Sequence, residues 1–151
     1  MTKVRAAFLL SLLFAFQLTA ENDYELKGNH FLATYTNCDK EAIQDSSAIE
    51  KAMEEAIKKT GATIVPPNRR LDFQPQGTTA LFLLTESHAS IHTYPEHQAC
   101  FVDLFTCGDH TDWKPFHEDL KAYFKTEAAT YTVLERTHEV KVLESHTNQI
   151  N

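Results

Sequence analysis

The chain has 151 residues, 42% hydrophobic and 23% charged, which suits one domain with a modest core. Its formal net charge of −7 argues against a general nucleic-acid binder, and Arg69-Arg70 is too short a basic run to reverse that. No internal repeat or low-complexity tract is visible. At the N-terminus, Lys3 and Arg5 precede an apolar run from Ala6 to Phe16, and Gln17-Leu18-Thr19-Ala20 follows. A basic start, a short apolar stretch and a small residue at the cut are the layout of a secretory signal peptide. Residues 1–20 are therefore expected to be removed after Ala20, leaving 21–151 as the working domain. The apolar run is too short to span a bilayer, which needs about 20 residues, so the mature form is expected to have no membrane span. The implied location is periplasmic or secreted, or cytoplasmic if the segment is kept.

Residues 28–36 alternate, carry β-favouring side chains and read as a strand. Ser47-Ala48-Ile49-Glu50 has the form of a capping box. Ile49, Met53, Ala56 and Ile57 then make one apolar helical face, and Gly61 suits the stop. Residues 62–65 read as a strand ended by Pro66-Pro67. Strands are expected over 79–85, 88–93 and 99–106, with a turn at Tyr94-Pro95-Glu96. Asp112 can cap a second helix that tolerates Pro115 in its first turn and buries Trp113, Phe116, Leu120 and Phe124. Residues 130–134 read as a last strand, and 137–151 as a loose polar tail. The expected fold is α+β, a two-layer sandwich of a mainly antiparallel sheet with two helices on one face. Cys38, Cys100 and Cys107 are an odd set, so a Cys38–Cys100 bridge and three free thiols both stand.

The stretch from Leu81 to Asp109 is the most informative. It holds Glu86-Ser87-His88, His92-Thr93, Pro95-Glu96 and Asp103-Leu104-Phe105-Thr106-Cys107-Gly108. Singly, each has an ordinary explanation. A Glu-Ser pair is common, a lone strand histidine is usually structural, and a cysteine at a strand end is more often a small buried hydrophobe. The joint spacing carries the information: His92 follows Ser87 by five residues and Cys107 follows it by twenty. Gly28-Asn29-His30, Asn37-Cys38-Asp39 and Phe73-Gln74-Pro75-Gln76-Gly77 add to the pattern. Over about residues 27–135 the chain resembles the short, bacterial-type S-adenosylmethionine decarboxylase proenzymes. It departs from them at Tyr94 (usually Trp), Gln98-Ala99 (often Gly-Tyr), Ala80 (usually Gly) and Pro66 to Arg70.

The resemblance implies a pyruvoyl enzyme that makes its cofactor by breaking its own chain between Glu86 and Ser87. Ser87 would become the pyruvoyl group, whose ketone forms a Schiff base with a substrate amine and accepts the electrons left by departing carbon dioxide. The products would be a β fragment, 21–86, and an α fragment, 87–151. His92 falls at the processing histidine, and imidazole titrates near neutrality as proton transfer requires. Cys107 falls at the proton donor to the decarboxylated carbon, and a thiol of pKa about 8.5 stays mostly protonated at neutral pH. Phe73 would stack on adenine and attract a sulfonium, Glu96 would help bind substrate, and Thr79 stands where a serine usually supports processing. A homodimer of cleaved protomers is implied, with the active sites near its interface.

The implied activity yields decarboxylated S-adenosylmethionine for spermidine synthesis. The export signal sits awkwardly with that cytoplasmic substrate, so an exported pyruvoyl decarboxylase of arginine or ornithine is a second reading. A non-catalytic binding protein on the same fold, with Ser87 unconverted, is a third. His88, His92 and His97 are a competing metal set, and the first two would share a strand face. However, His97 follows the turn, and no Cys or His pair has structural-zinc spacing, so no metal is expected.

Overall fold

The computed structural model describes residues 25–148, so the segment 1–20 lies outside the described residues. Strand β1 (Gly28–Thr36) leads to helix α1 (Ser46–Lys59), followed by β2 (Arg69–Asp72), β3 (Thr78–Leu83) and β4 (Ser87–Tyr94). A short 3-10 turn at Pro95–His97 leads into β5 (Ala99–Thr106), helix α2 (Trp113–Phe124), β6 (Ala128–Arg136) and β7 (Val140–His146). The strands form one seven-stranded sheet in the order β2-β3-β4-β5-β1-β6-β7, with every neighbouring pair antiparallel.

Alternation along each strand separates two faces. Phe31, Ala33 and Tyr35 of β1, Ala80 and Phe82 of β3, Ala89 and Ile91 of β4, and Val102 and Leu104 of β5 point into the core. Both helices pack their apolar stripes on that same cluster, through Ile49, Met53 and Ile57 of α1 and Phe116, Leu120 and Phe124 of α2. The expected two-layer α+β sandwich is therefore what forms. One polar pair lies inside it: Tyr35 and His117 share a hydrogen bond of 2.8 Å between Oη and Nδ1. Burial pushes the Tyr35 phenol up and the His117 imidazole down, so both stay neutral and each satisfies the other.

Four local expectations are corrected. The cap of α1 is Asp45, not Ser47: its carboxylate accepts from Ser47 N at 3.1 Å and Ala48 N at 2.9 Å. A carboxylate already meets those orphan donors, so no capping box is needed. Residues 62–65 form only an isolated bridge, Ile64 to Leu84. The edge strand β2 was not expected, because its fully exposed Arg-Arg-Leu-Asp lacks any apolar alternation. Charged, short edges of this kind resist further strand pairing. The tail is not loose over 140–146: Val140, Lys141 and Val142 pair with Arg136, Glu135 and Leu134, and a bulge near Val133/Leu134 shifts the rest. Every residue of β7 is exposed, so burial left no signature there. Cys38, Cys100 and Cys107 are all free thiols, the first two buried and the third exposed.

Candidate active site

Among the described residues no helix covers the second sheet face. Its rows read across β3, β4, β5 and β1 as Leu83, His88, Phe105 and His30, then Leu81, Ser90, Asp103 and Leu32, then Thr79, His92, Phe101 and Thr34. Leu81, Leu83 and Phe101 are each at least half exposed there. A groove of about 500 Å³ runs over this face past Leu32, Ser90, His92, Phe101 and Asp103.

Two groups of the expected site residues occupy opposite ends of β4. At its start is the Glu86–Ser87 junction, bonded on both sides. Cys107 N–H donates to the Glu86 carbonyl at 3.1 Å. Ser87 N–H donates to the Leu84 carbonyl at 3.3 Å, and Leu84 N–H donates to the Ser87 carbonyl at 3.0 Å. Between these bonds Ser87 has φ +155°, a conformation rarely adopted by residues other than glycine. Such a residue carries about 1–3 kcal/mol of strain when its surroundings hold it there. The Ser87 hydroxyl lies 3.1 Å from His88 Nδ1.

The Glu86 side chain turns inward and is 8% exposed. It accepts from Thr63 N at 2.9 Å and meets His110 Nε2 at 3.2 Å. Burial pushes this carboxyl up, but the Thr63, Thr85 and His110 hydrogen bonds outweigh that and hold it below the usual carboxylate range. Gly108 makes room for the arrangement. A Cβ there would lie 2.7 Å from His110 Cε1 and 3.2 Å from Glu86 Cγ. Cys107 is exposed beside the junction and opens on a cavity of about 390 Å³ shared with Gly28, Phe105 and Arg136.

The other group surrounds His92. Its Nδ1 shares a 2.6 Å hydrogen bond with Thr79 Oγ1. The rings of Phe73 and Tyr94 meet the imidazole at centroid distances of 5.5 and 4.6 Å. Gly77, at φ +112°, closes the turn that brings Phe73 here, through Phe73 N–H to the Gly77 carbonyl at 2.8 Å. Glu96 stands exposed on the 3-10 turn at this same end. Thr79, His92 and Phe73 are thus together, whereas Ser87 and His92 are five residues apart on one strand, roughly 16 Å at about 3.3 Å per residue.

The trio His88, His92 and His97 does not gather, because His88 and His92 lie two rows apart and His97 sits on the turn. Instead His88, His30 and Asp103 offer donor atoms within 4.8 Å of one another. Asp103, His30 and His110 were not singled out as site residues. Period-two alternation over His88-Ala89-Ser90 and Asp103-Leu104-Phe105 would have placed His88 and Asp103 on one face. Nothing local marks His110, which reaches Glu86 across a loop.

A protein-family model described as S-adenosylmethionine decarboxylase matches residues 29–137. The chain belongs to this family. A relative from Fervidobacterium nodosum named S-adenosylmethionine decarboxylase proenzyme is 46% identical over 103 residues, covering 68% of this chain and 74% of its own. One of the same name from Synechococcus is 37% identical over 123 residues, covering 74% and 95%. The crystal structure of the adenosylmethionine decarboxylase from Aquifex aeolicus superposes with a TM-score of 0.68 at 31% identity, over 83% of this chain and 99% of that one. All the expected site residues, from Phe73 to Cys107, lie inside the matched span. Among the described residues no helix is long and apolar enough to cross a membrane.

Proposed function

We propose that this chain is a self-processing, pyruvoyl-dependent decarboxylase of S-adenosylmethionine. The observation that carries the reading is the clamp on the Glu86–Ser87 bond. The Cys107 N–H on the Glu86 carbonyl polarises the carbon that Ser87 Oγ would attack, and it would stabilise the oxyanion formed there. Attack transfers the acyl group from nitrogen to oxygen, leaving an ester and a free Ser87 amine. Removal of the Ser87 Cα proton then expels the Glu86 carboxylate, and the dehydroalanine left behind takes up water and loses ammonia. The fragments would be 21–86 and a pyruvoyl-capped 87–151. A strained junction, a placed hydroxyl and an adjacent thiol are the donor set this group needs. The ketone supplies a carbonyl that captures a substrate amine and takes up the electrons released with carbon dioxide. Cys107, a free thiol exposed beside the junction, would return a proton to the substrate carbon.

His92 serves the same chemistry from a second copy of the chain. The tautomer that donates Nδ1–H to Thr79 Oγ1 would leave Nε2 the lone pair a base requires. Within one protomer it is too distant to reach Ser87. The open face offers the solution. Two such faces packed about 10 Å apart, with a two-fold axis across the strands at the level of Asp103, put one copy's His92 end over the other's Ser87 end. The exposed Leu81, Leu83 and Phe101 would be covered by the same contact. Phe73 and Tyr94, next to His92, would then wall the site for the adenine and sulfonium, with Glu96 nearby.

The test is release of labelled carbon dioxide from carboxyl-labelled S-adenosylmethionine, arginine and ornithine by the purified protein. Release from S-adenosylmethionine alone is the expected result. Release from arginine or ornithine would replace the substrate and keep the mechanism, and release from none would defeat both.

A further inference from the structure

We propose that His88 is the base that starts self-cleavage by taking the proton from Ser87 Oγ, with Asp103 as its positioning residue. The inference rests on the self-processing reading and assigns a step that His92 does not perform. His88 stands between the two groups a relay requires: its Nδ1 is 3.1 Å from Ser87 Oγ, and its Nε2 is 3.5 Å from Asp103 Oδ2. An Nε2–H turned toward the carboxylate leaves the Nδ1 lone pair facing the hydroxyl, the tautomer a base needs. Asp103 in turn accepts a hydrogen bond from the Ser90 hydroxyl, and His30 Nε2 lies 3.6 Å from the same carboxylate oxygen that faces His88, close enough for charge attraction but beyond a hydrogen bond. Burial pushes the Asp103 carboxyl up, but the neighbouring His30, Ser90 and His88 outweigh that and keep it ionised at neutral pH. The His30 ring also packs against Phe105, which fixes the row in which His88 lies.

The step balances without any added reactant. His88 Nδ1 takes the hydroxyl proton as Ser87 Oγ bonds to the Glu86 carbonyl carbon. The tetrahedral oxyanion forms against Cys107 N–H. His88 then gives the proton to the Ser87 nitrogen as the bond from that nitrogen to the Glu86 carbon breaks. The ester that results is the point at which His92 takes over.

The two histidines are therefore separable by where a variant stalls. Precursor made by cell-free translation would be followed by denaturing gel, with and without hydroxylamine, which cuts esters but leaves amides whole. A His92→Ala precursor should accumulate as the ester and be cut by hydroxylamine. A His88→Ala precursor should stay hydroxylamine-resistant, cleave about 100-fold or more slowly than wild type, and regain cleavage when imidazole is added. If His88→Ala does not fold, His88→Gln keeps a polar side chain without a base and carries the same test. Asp103→Asn should slow cleavage less, and adding it to His88→Ala should slow it no further. Cleavage of a folded His88 variant at the wild-type rate, or its accumulation as the ester, overturns the inference and leaves the parent reading intact. Cleavage that stops with a chelator and resumes with zinc also overturns it, by giving His30, His88 and Asp103 to a metal. A wild-type chain that never cleaves at Glu86–Ser87 overturns the parent reading and the inference together.

Discussion

Co-expressing Ser87→Ala with His92→Ala should restore processing that neither variant supports alone. The separation of the two groups along β4, roughly 16 Å at about 3.3 Å per residue, is several times hydrogen-bond reach, about 2.6–3.2 Å. A site completed by the partner subunit therefore takes Ser87 from one chain and His92 from the other. In a mixed dimer the His92→Ala chain supplies Ser87, and the Ser87→Ala chain supplies the histidine. One complete site forms and the other is doubly defective. With random pairing about half of the dimers are mixed, so roughly a quarter of all chains should cleave. Every cleaved chain should carry the His92→Ala substitution. Distinct tags on the two variants, with intact mass of the pyruvoyl-capped fragment as the readout, measure both quantities. Absence of that fragment in the mixture, with both variants folded and dimeric, would refute the shared site.

Replacing Phe73 by Leu removes the ring proposed to stack on adenine. Stacking of a base on an aromatic side chain is worth about 1–3 kcal/mol, so KM should rise about 5- to 150-fold with kcat little changed, and an unchanged KM would remove Phe73 from the pocket. Cys107→Ala keeps the backbone N–H that holds the Glu86 carbonyl, so cleavage should persist while kcat falls about 100-fold; unchanged turnover would end its role as proton donor. Because the folded Glu86 carboxyl is held below its ordinary range, its ionised form stabilises the folded chain fully above the unfolded value of about 4.3. That contribution is lost as pH falls from there through the depressed folded value. Urea unfolding of the uncleavable Ser87→Ala chain should therefore weaken on acidification more than that of Ser87→Ala with Glu86→Gln. Parallel pH curves would show that the Thr63 and His110 contacts do not matter to stability.

The sequence was legible where burial imposes a period. Ile49, Met53, Ala56 and Ile57 mark α1, and Phe31, Ala33 and Tyr35 mark the inward face of β1, because one side of each element must leave water. β2 and β7 were missed for the complementary reason: both are edge strands with every side chain exposed, and only backbone pairing orders them. The spacing of Ser87, His92 and Cys107 singled out three candidates but not their grouping. A five-residue interval on a strand separates side chains, whereas the Thr79–His92 and Ser87–Thr106 pairings depend on register between strands. Asp103 and His30 became visible beside His88 only once β1, β5 and β4 were placed side by side. His110 returns to Glu86 through a loop with no period to read.

Intact mass of the purified protein under denaturing conditions, before and after borohydride reduction, reads both the cleavage at Glu86–Ser87 and the carbonyl it would leave. Expression in a host competent for secretion lets the same spectrum report the N-terminus. Two fragments are expected, 21–86 and a pyruvoyl-capped 87–151, with the larger-numbered one gaining the mass of a reduced carbonyl. A single uncleaved chain that does not react with borohydride would contradict the self-processing reading.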